Sequence, residues 1–168
     1  MINSFFAFFI LKKTTIYHIR ASWNVSNFGG LSMKKIIHTD LAPKALGPYN
    51  QAIIDEESGF LFTAGQIALD PASGDLVGDN ARDQAQQVFR NLRAVLEAAG
   101  CGFDDVLKAT IFLKNLDDFA AVNDVYAENF IRDFPARSTV EVAKLPKNAM
   151  VEIELVARVH NMGKRKSN

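Results

Sequence analysis

One segment constrains the fold more than any other, because its apolar residues form a single stripe along its whole length. From Ala81 onward, Ala85, Val88, Leu92, Val95, Leu96 and Ala99 recur at steps of three and four, the spacing that gathers side chains on one face of an α-helix. Asp79 or Asn80 can cap its start, and Gly100 can end it in the left-handed conformation. Phe119, Val122, Tyr126 and Phe130 make a second helix of the same kind, with Asn115 and Asp117 near its start. Two helices that are apolar on one side only need a shared surface to cover those sides.

The strand-forming segments supply it. Tyr49 to Ile54 and the run Phe60-Leu61-Phe62-Thr63-Ala64 read as a hairpin joined by the turn Asp55-Glu56-Glu57-Ser58-Gly59. Asp70-Pro71-Ala72-Ser73-Gly74 has the chemistry of a loop. Val106 to Lys114 alternates, with Val106, Lys108, Thr110, Phe112 and Lys114 on one side and Leu107, Ala109, Ile111 and Leu113 on the other. Ser138 to Lys144 and Val151 to Val159 complete the set, the last with Val151, Ile153, Leu155, Ala157 and Val159 on one face and Glu152, Glu154 and Arg158 on the other. The order is β-β-(β)-α-β-α-β-β, a third strand ahead of the first helix being left open. Both helices belong on one face of one sheet, an α+β layer fold. The other face still carries Phe62, Phe112 and Val156, which calls for cover by further subunits.

Charge divides the chain. Residues 1–39 contain no Asp or Glu, and Lys12, Lys13 and Arg20 give residues 1–32 a charge of +3. With 19 bases and 19 acids in all, residues 33–168 hold 16 bases against 19 acids, a net of −3. A nucleic-acid binder needs a basic stripe to displace counterions from phosphates, and this balance argues against one. The apolar run Phe5 to Leu11 is far short of the roughly 20 residues that cross a bilayer, and the lysines follow it rather than precede it as in a secretory signal. Residues 1–32 are therefore expected to be a leader outside the domain. They read as upstream sequence ahead of a natural start at Met33-Lys34-Lys35, in a cytoplasmic protein, as a transit peptide to the mitochondrion, or as a segment with a structured function of its own. Residues 33–160 form the domain and 161–168 a polar tail. The lone cysteine, Cys101, allows no internal disulfide, and no Cys/His set has zinc-ligand spacing.

Little of the chain looks catalytic by composition alone. His18, His38 and His160 lie in the leader or near the domain ends, and Gly29-Gly30 and Gly47-Pro48 lack the spacing of a phosphate loop. Arg137 differs. It stands where the loop Phe134-Pro135-Ala136 becomes strand, a placement that can aim a guanidinium into a cleft, and guanidinium grips a carboxylate with two parallel hydrogen bonds. Glu152, on the face turned away from the helices, is either a structural ion-pair member or a working base.

The segments Gly47-Pro48-Tyr49-Asn50-Gln51-Ala52, Thr63-Ala64-Gly65-Gln66-Ile67, Phe134-Pro135-Ala136-Arg137-Ser138, Leu145-Pro146-Lys147 and Val151-Glu152-Ile153-Glu154 occur in an order that closely resembles the RidA subgroup of the Rid family, the 2-iminobutanoate/2-iminopropanoate deaminases. The resemblance runs from about Met33 to Val159. It implies a chorismate-mutase-like α+β subunit that assembles as a homotrimer around a central β-barrel, with clefts between subunits. It also implies hydrolysis of small anionic enamines and imines to 2-oxo acids and ammonia, which protects pyridoxal-phosphate enzymes and needs neither metal nor organic cofactor. In that likeness Arg137 binds the substrate carboxylate, and Glu152 and Tyr49 are catalytic. Asn123, Gly65 and Thr139 fall at substrate-contacting positions. Ala64 stands where many relatives have serine, and Thr139 where many have cysteine. Some relatives carry other assignments: a ligand-binding or stress-chaperone trimer, or a ribonuclease that inhibits translation.

Overall fold

The computed structural model describes residues 33–160, so the expectations for the leader, including His18, and for the tail lie outside the described residues. Six strands make one sheet: β1 (Lys34–Ile37), β2 (Ala52–Asp55), β3 (Phe60–Thr63), β4 (Val106–Leu113), β5 (Ala136–Glu141) and β6 (Val151–Arg158). Their order across the sheet is β1-β2-β3-β6-β4-β5. Every neighbouring pair is antiparallel except β4 and β5, which run parallel. Helices α1 (Ala81–Ala98) and α2 (Phe119–Asn129) supply the second layer.

The helix stripe does what its spacing requires. Ala85, Val88, Leu92, Val95 and Leu96 of α1 are fully buried, and they share one core with Ile54, Leu61, Ala109, Ile111, Leu113, Val151, Ile153 and Leu155 from the sheet. Asn80 caps the helix, its side chain accepting the backbone N–H of Asp83 at 2.9 Å, which relieves one donor that a helix start leaves without a partner. Gly100 follows at φ +78°, where a side chain would be strained. From α2, Val122, Val125 and Tyr126 join the same core, where Phe89 of α1 meets Tyr126 and Phe130 edge to face.

Several boundaries differ from the sequence expectation. No third strand forms between the hairpin and α1, where Gln66 and Leu69 make only isolated bridges; the extra strand is instead β1, at the start of the domain and paired with β2, where the sequence reading placed none. Tyr49 precedes β2 rather than lying in it, and β5 begins two residues earlier than expected, so Arg137 is inside the strand. The register between β4 and β6 shifts between Val106 and Lys108. That bulge turns Val106 into the core and leaves Leu107 exposed, the reverse of the simple alternation.

The face away from the helices is as apolar as the sequence suggested. Paired across it in one row lie Ile36, Ile53, Phe62 and Val156, and in another Glu152, Phe112 and Val140. Phe62 is 42% exposed and Val140 44%.

Candidate functional site

Glu152 is the second residue of β6, and the alternation of that strand sends its side chain to the open face while Val151 and Ile153 enter the core. Next to it the chain leaving β3 makes a two-way backbone bridge: Gln66 N–H donates to Ile153 O at 2.9 Å, and Ile153 N–H donates to Gln66 O at 3.1 Å. This bridge brings Gly65 against the Glu152 side chain. A Cβ on Gly65 would overlap Glu152 Oε1 and come within 2.8 Å of its Cδ, so glycine is what lets the carboxylate lie on the backbone. Burial, reinforced by the like charge of Glu154 on the same strand face, raises the Glu152 pKa above the ordinary carboxylate value. A carboxylate stripped of water in this way is a stronger base than a solvated one.

Around Glu152 is a cleft of about 370 Å³, also lined by Pro43, Lys44, Leu46, Tyr49 and Ala64. Tyr49 Oη accepts the backbone N–H of Leu46 at 3.1 Å, which leaves the phenol's own hydrogen to donate elsewhere. The segment that carries Lys44 and Leu46 is stapled to β2 by Gln51. Gln51 Nε2 donates to Thr39 O, Ala42 O and Pro43 O at 3.0, 3.1 and 2.8 Å, while its Oε1 accepts Thr39 N–H at 2.7 Å.

Arg137 occupies a different place. On β5 it points to the helix side, where Nη1 donates to Asn123 Oδ1 of α2 at 2.9 Å. Its guanidinium lies 4.6 Å from the Tyr126 ring centroid and 5.5 Å from that of Phe119, close enough for both rings to attract the cation. Asn123, Tyr126, Phe134, Pro135 and Arg137 line a second cleft of about 310 Å³.

The expected residues are thus gathered into two separate clefts of one chain: Tyr49, Gly65 and Glu152 in one, Arg137 and Asn123 in the other. Thr139 joins neither open cleft. It lies under α2 beside Arg137, Asn123 and Phe119, its Oγ1 buried without a hydrogen-bond partner among the described residues. Ala64 does line the Glu152 cleft, so the hydroxyl it lacks would have faced that space. The described histidines stand apart from both, His38 beside Asp40 at 3.5 Å and His160 beside Asp105 at 2.9 Å. Sequence reasoning missed the part of Tyr126 and Phe119 beneath the guanidinium, since helical spacing assigned both to the core. Lys44 and Gln51 carried no local signal.

The fold is an α+β subunit with an arginine cleft on the helix side of the sheet and a half-buried glutamate on its open face. The chain belongs to the endoribonuclease L-PSP family, whose description matches residues 39–159, and the Rid resemblance falls within it. It is 48% identical over 126 residues to the 2-iminobutanoate/2-iminopropanoate deaminase of Dermatophagoides farinae, covering 75% of this chain and 97% of the relative. Other relatives are described as RutC family proteins. Among solved structures, a Rid-family protein of unknown function from Yersinia pestis is 49% identical with a TM-score of 0.72, covering 75% of this chain and 99% of that one. TdcF of E. coli with bound serine is 39% identical with a TM-score of 0.69, covering 75% and 99%.

Proposed function

We propose that this protein is an imine deaminase that hydrolyses 2-iminopropanoate, 2-iminobutanoate and their enamine tautomers, and that it works as a homotrimer whose sites each combine the two half-sites from adjacent subunits. The observation that carries the reading is Glu152, a half-buried carboxylate laid on Gly65 beside Tyr49, with its pKa raised. The deaminase name of the mite relative, and the serine bound by the E. coli neighbour, a small ligand with a carboxylate, support the substrate class.

The chemistry follows from the side chains. Arg137, held by Asn123 and seated over the Tyr126 ring, grips the substrate carboxylate at two points and fixes the C=N carbon. Glu152 takes a proton from water as the water oxygen bonds to the carbon of the protonated imine, and the C=N π electrons go to nitrogen, leaving it a neutral amine. The carbinolamine then collapses: Glu152 returns the proton to nitrogen, the C–N bond breaks and ammonia leaves with that electron pair. The hydroxyl proton is lost as the C=O bond forms, giving a 2-oxo acid. Tyr49, its oxygen already accepting Leu46 N–H, donates toward substrate. The apolar open face of the sheet supplies the surface on which neighbouring copies pack.

The test is a coupled assay in which threonine dehydratase generates the imine and semicarbazide competes for it. Added protein is expected to suppress semicarbazone formation, and Arg137→Ala to abolish the effect. RNA cleavage that survives Arg137→Ala, with no effect on the imine, would replace this reading with the ribonuclease one.

A further inference from the structure

Gln84, Gln87 and Asn91 stand at i, i+3 and i+7 on α1, inside its apolar stripe, and are 2%, 7% and 0% exposed. A buried amide is costly unless it is bonded; Gln87 and Asn91 bond outward to the wall of the Glu152 cleft, and Gln84 bonds to the backbone at Gly78 and Met150, on either side of it in sequence. Asn91 Nδ2 donates to Ile67 O and Leu69 O at 3.2 and 2.9 Å. Gln87 Nε2 donates to Leu69 O at 3.3 Å and to Asn91 Oδ1 at 2.9 Å, which fixes the Asn91 amide in its orientation. Gln84 Oε1 accepts Met150 N–H at 2.8 Å, two residues before Glu152, while its Nε2 donates to Gly78 O at 3.1 Å.

The segment from Gly65 to the start of α1 has no strand of its own beyond the bridges at Gln66 and Leu69. Its carbonyls therefore need donors from elsewhere. Ile67 and Leu69 line the cleft two and four residues after Gly65, so one end of the amide row sets where Gly65 sits, and the other sets where β6 begins. We propose that Gln84, Gln87 and Asn91 form one row of positioning residues that locks Gly65 and Glu152 into contact across the cleft. The role in turnover rests on the deaminase reading; the role in placing the carboxylate does not.

The experiment therefore has two arms, applied to the full chain and to its Gln84→Met and Asn91→Leu variants, with folding followed by circular dichroism. In the first, the Glu152 carboxyl is titrated by carbon NMR without ligand and assigned with Glu152→Gln. The groups that face it, Glu154 on its own strand and Lys44 and Tyr49 in the cleft, are untouched. Each variant is expected to move the titration down toward that of an ordinary carboxyl, as the group leaves its half-buried seat. In the second arm, kcat is expected to fall about 10- to 100-fold with KM changing much less, because misplacement of a working group by about 1 Å costs that much. Variants that fold, and keep the wild-type titration and kcat while losing only thermal stability, would overturn the proposal. So would failure of both to fold, which would make the row a requirement of the fold itself. A wild-type protein without turnover would sink the deaminase reading and leave the titration to decide on the amide row.

Discussion

Gly65→Ala separates the placement of the Glu152 carboxylate, the base of the proposed reaction, from its presence. Gly65 is not among the residues at positive φ, so alanine fits its backbone. The new Cβ would occupy the position of Glu152 Oε1 and crowd Cδ at 2.8 Å. The bridge between Gln66 and Ile153 keeps the two backbones from separating, so the carboxylate must swing aside by about 1 Å or more, a displacement that costs on the order of 10²-fold in rate. That is a substantial part of the roughly 10²–10⁴-fold a general base contributes, so Gly65→Ala should approach Glu152→Gln in kcat. Stability should change little, because the roughly 0.4–1 kcal/mol that alanine gains by losing less freedom on folding is offset by the displacement of the Glu152 side chain. The coupled dehydratase assay gives kcat and thermal unfolding gives the stability. A Gly65→Ala protein that turns over imine at the wild-type rate would refute the idea that Glu152 works from its seat on the glycine.

Two further outcomes follow from the electrostatics. Glu154→Gln removes the like charge that helps to raise the Glu152 pKa; since activity needs the ionised base, the acid limb of the kcat profile should move to lower pH, and an unmoved limb would deny Glu152 that role. Arg137→Lys should rescue poorly, because an ammonium cannot keep the Asn123 bond, sit over the Tyr126 ring and still offer two parallel donors; a KM within a few-fold of wild type would show that two-point recognition is not used.

How much of this was legible in advance depended on whether the signal was local. The α1 stripe, its Asn80 cap and its Gly100 stop are local and emerged from spacing. So did the outward face of Glu152, because β6 alternates without interruption. β1 left no such trace: Lys34, Lys35 and Ile36 are exposed, only Ile37 is buried, and the strand exists by pairing with β2. The bulge at Val106 reversed two side chains because register is set by the partner strand, not by the alternation itself. At the site, the residue types came from motif resemblance, yet their division into two clefts depends on where β5 and β6 lie in the sheet, which is a property of topology. The amide row was hidden for a different reason, since glutamine and asparagine at helical spacing inside a stripe resemble ordinary solvated positions until their carbonyl partners are known.

The central claim is that each site is assembled from two copies of the chain, Arg137 and Asn123 from one and Tyr49, Gly65 and Glu152 from the next. It is tested most directly by unfolding Arg137→Ala and Glu152→Gln proteins together in equal amounts and refolding them as a mixture, with mixed assemblies verified by mass. Each parent alone has no complete site. In a random mixture a cleft is whole only when its arginine side comes from the Glu152→Gln protein and its glutamate side from the Arg137→Ala protein, which holds for about one cleft in four. The account predicts about a quarter of wild-type imine hydrolysis from the mixture. Activity no greater than the mean of the two parents, in assemblies shown to be mixed, would contradict it.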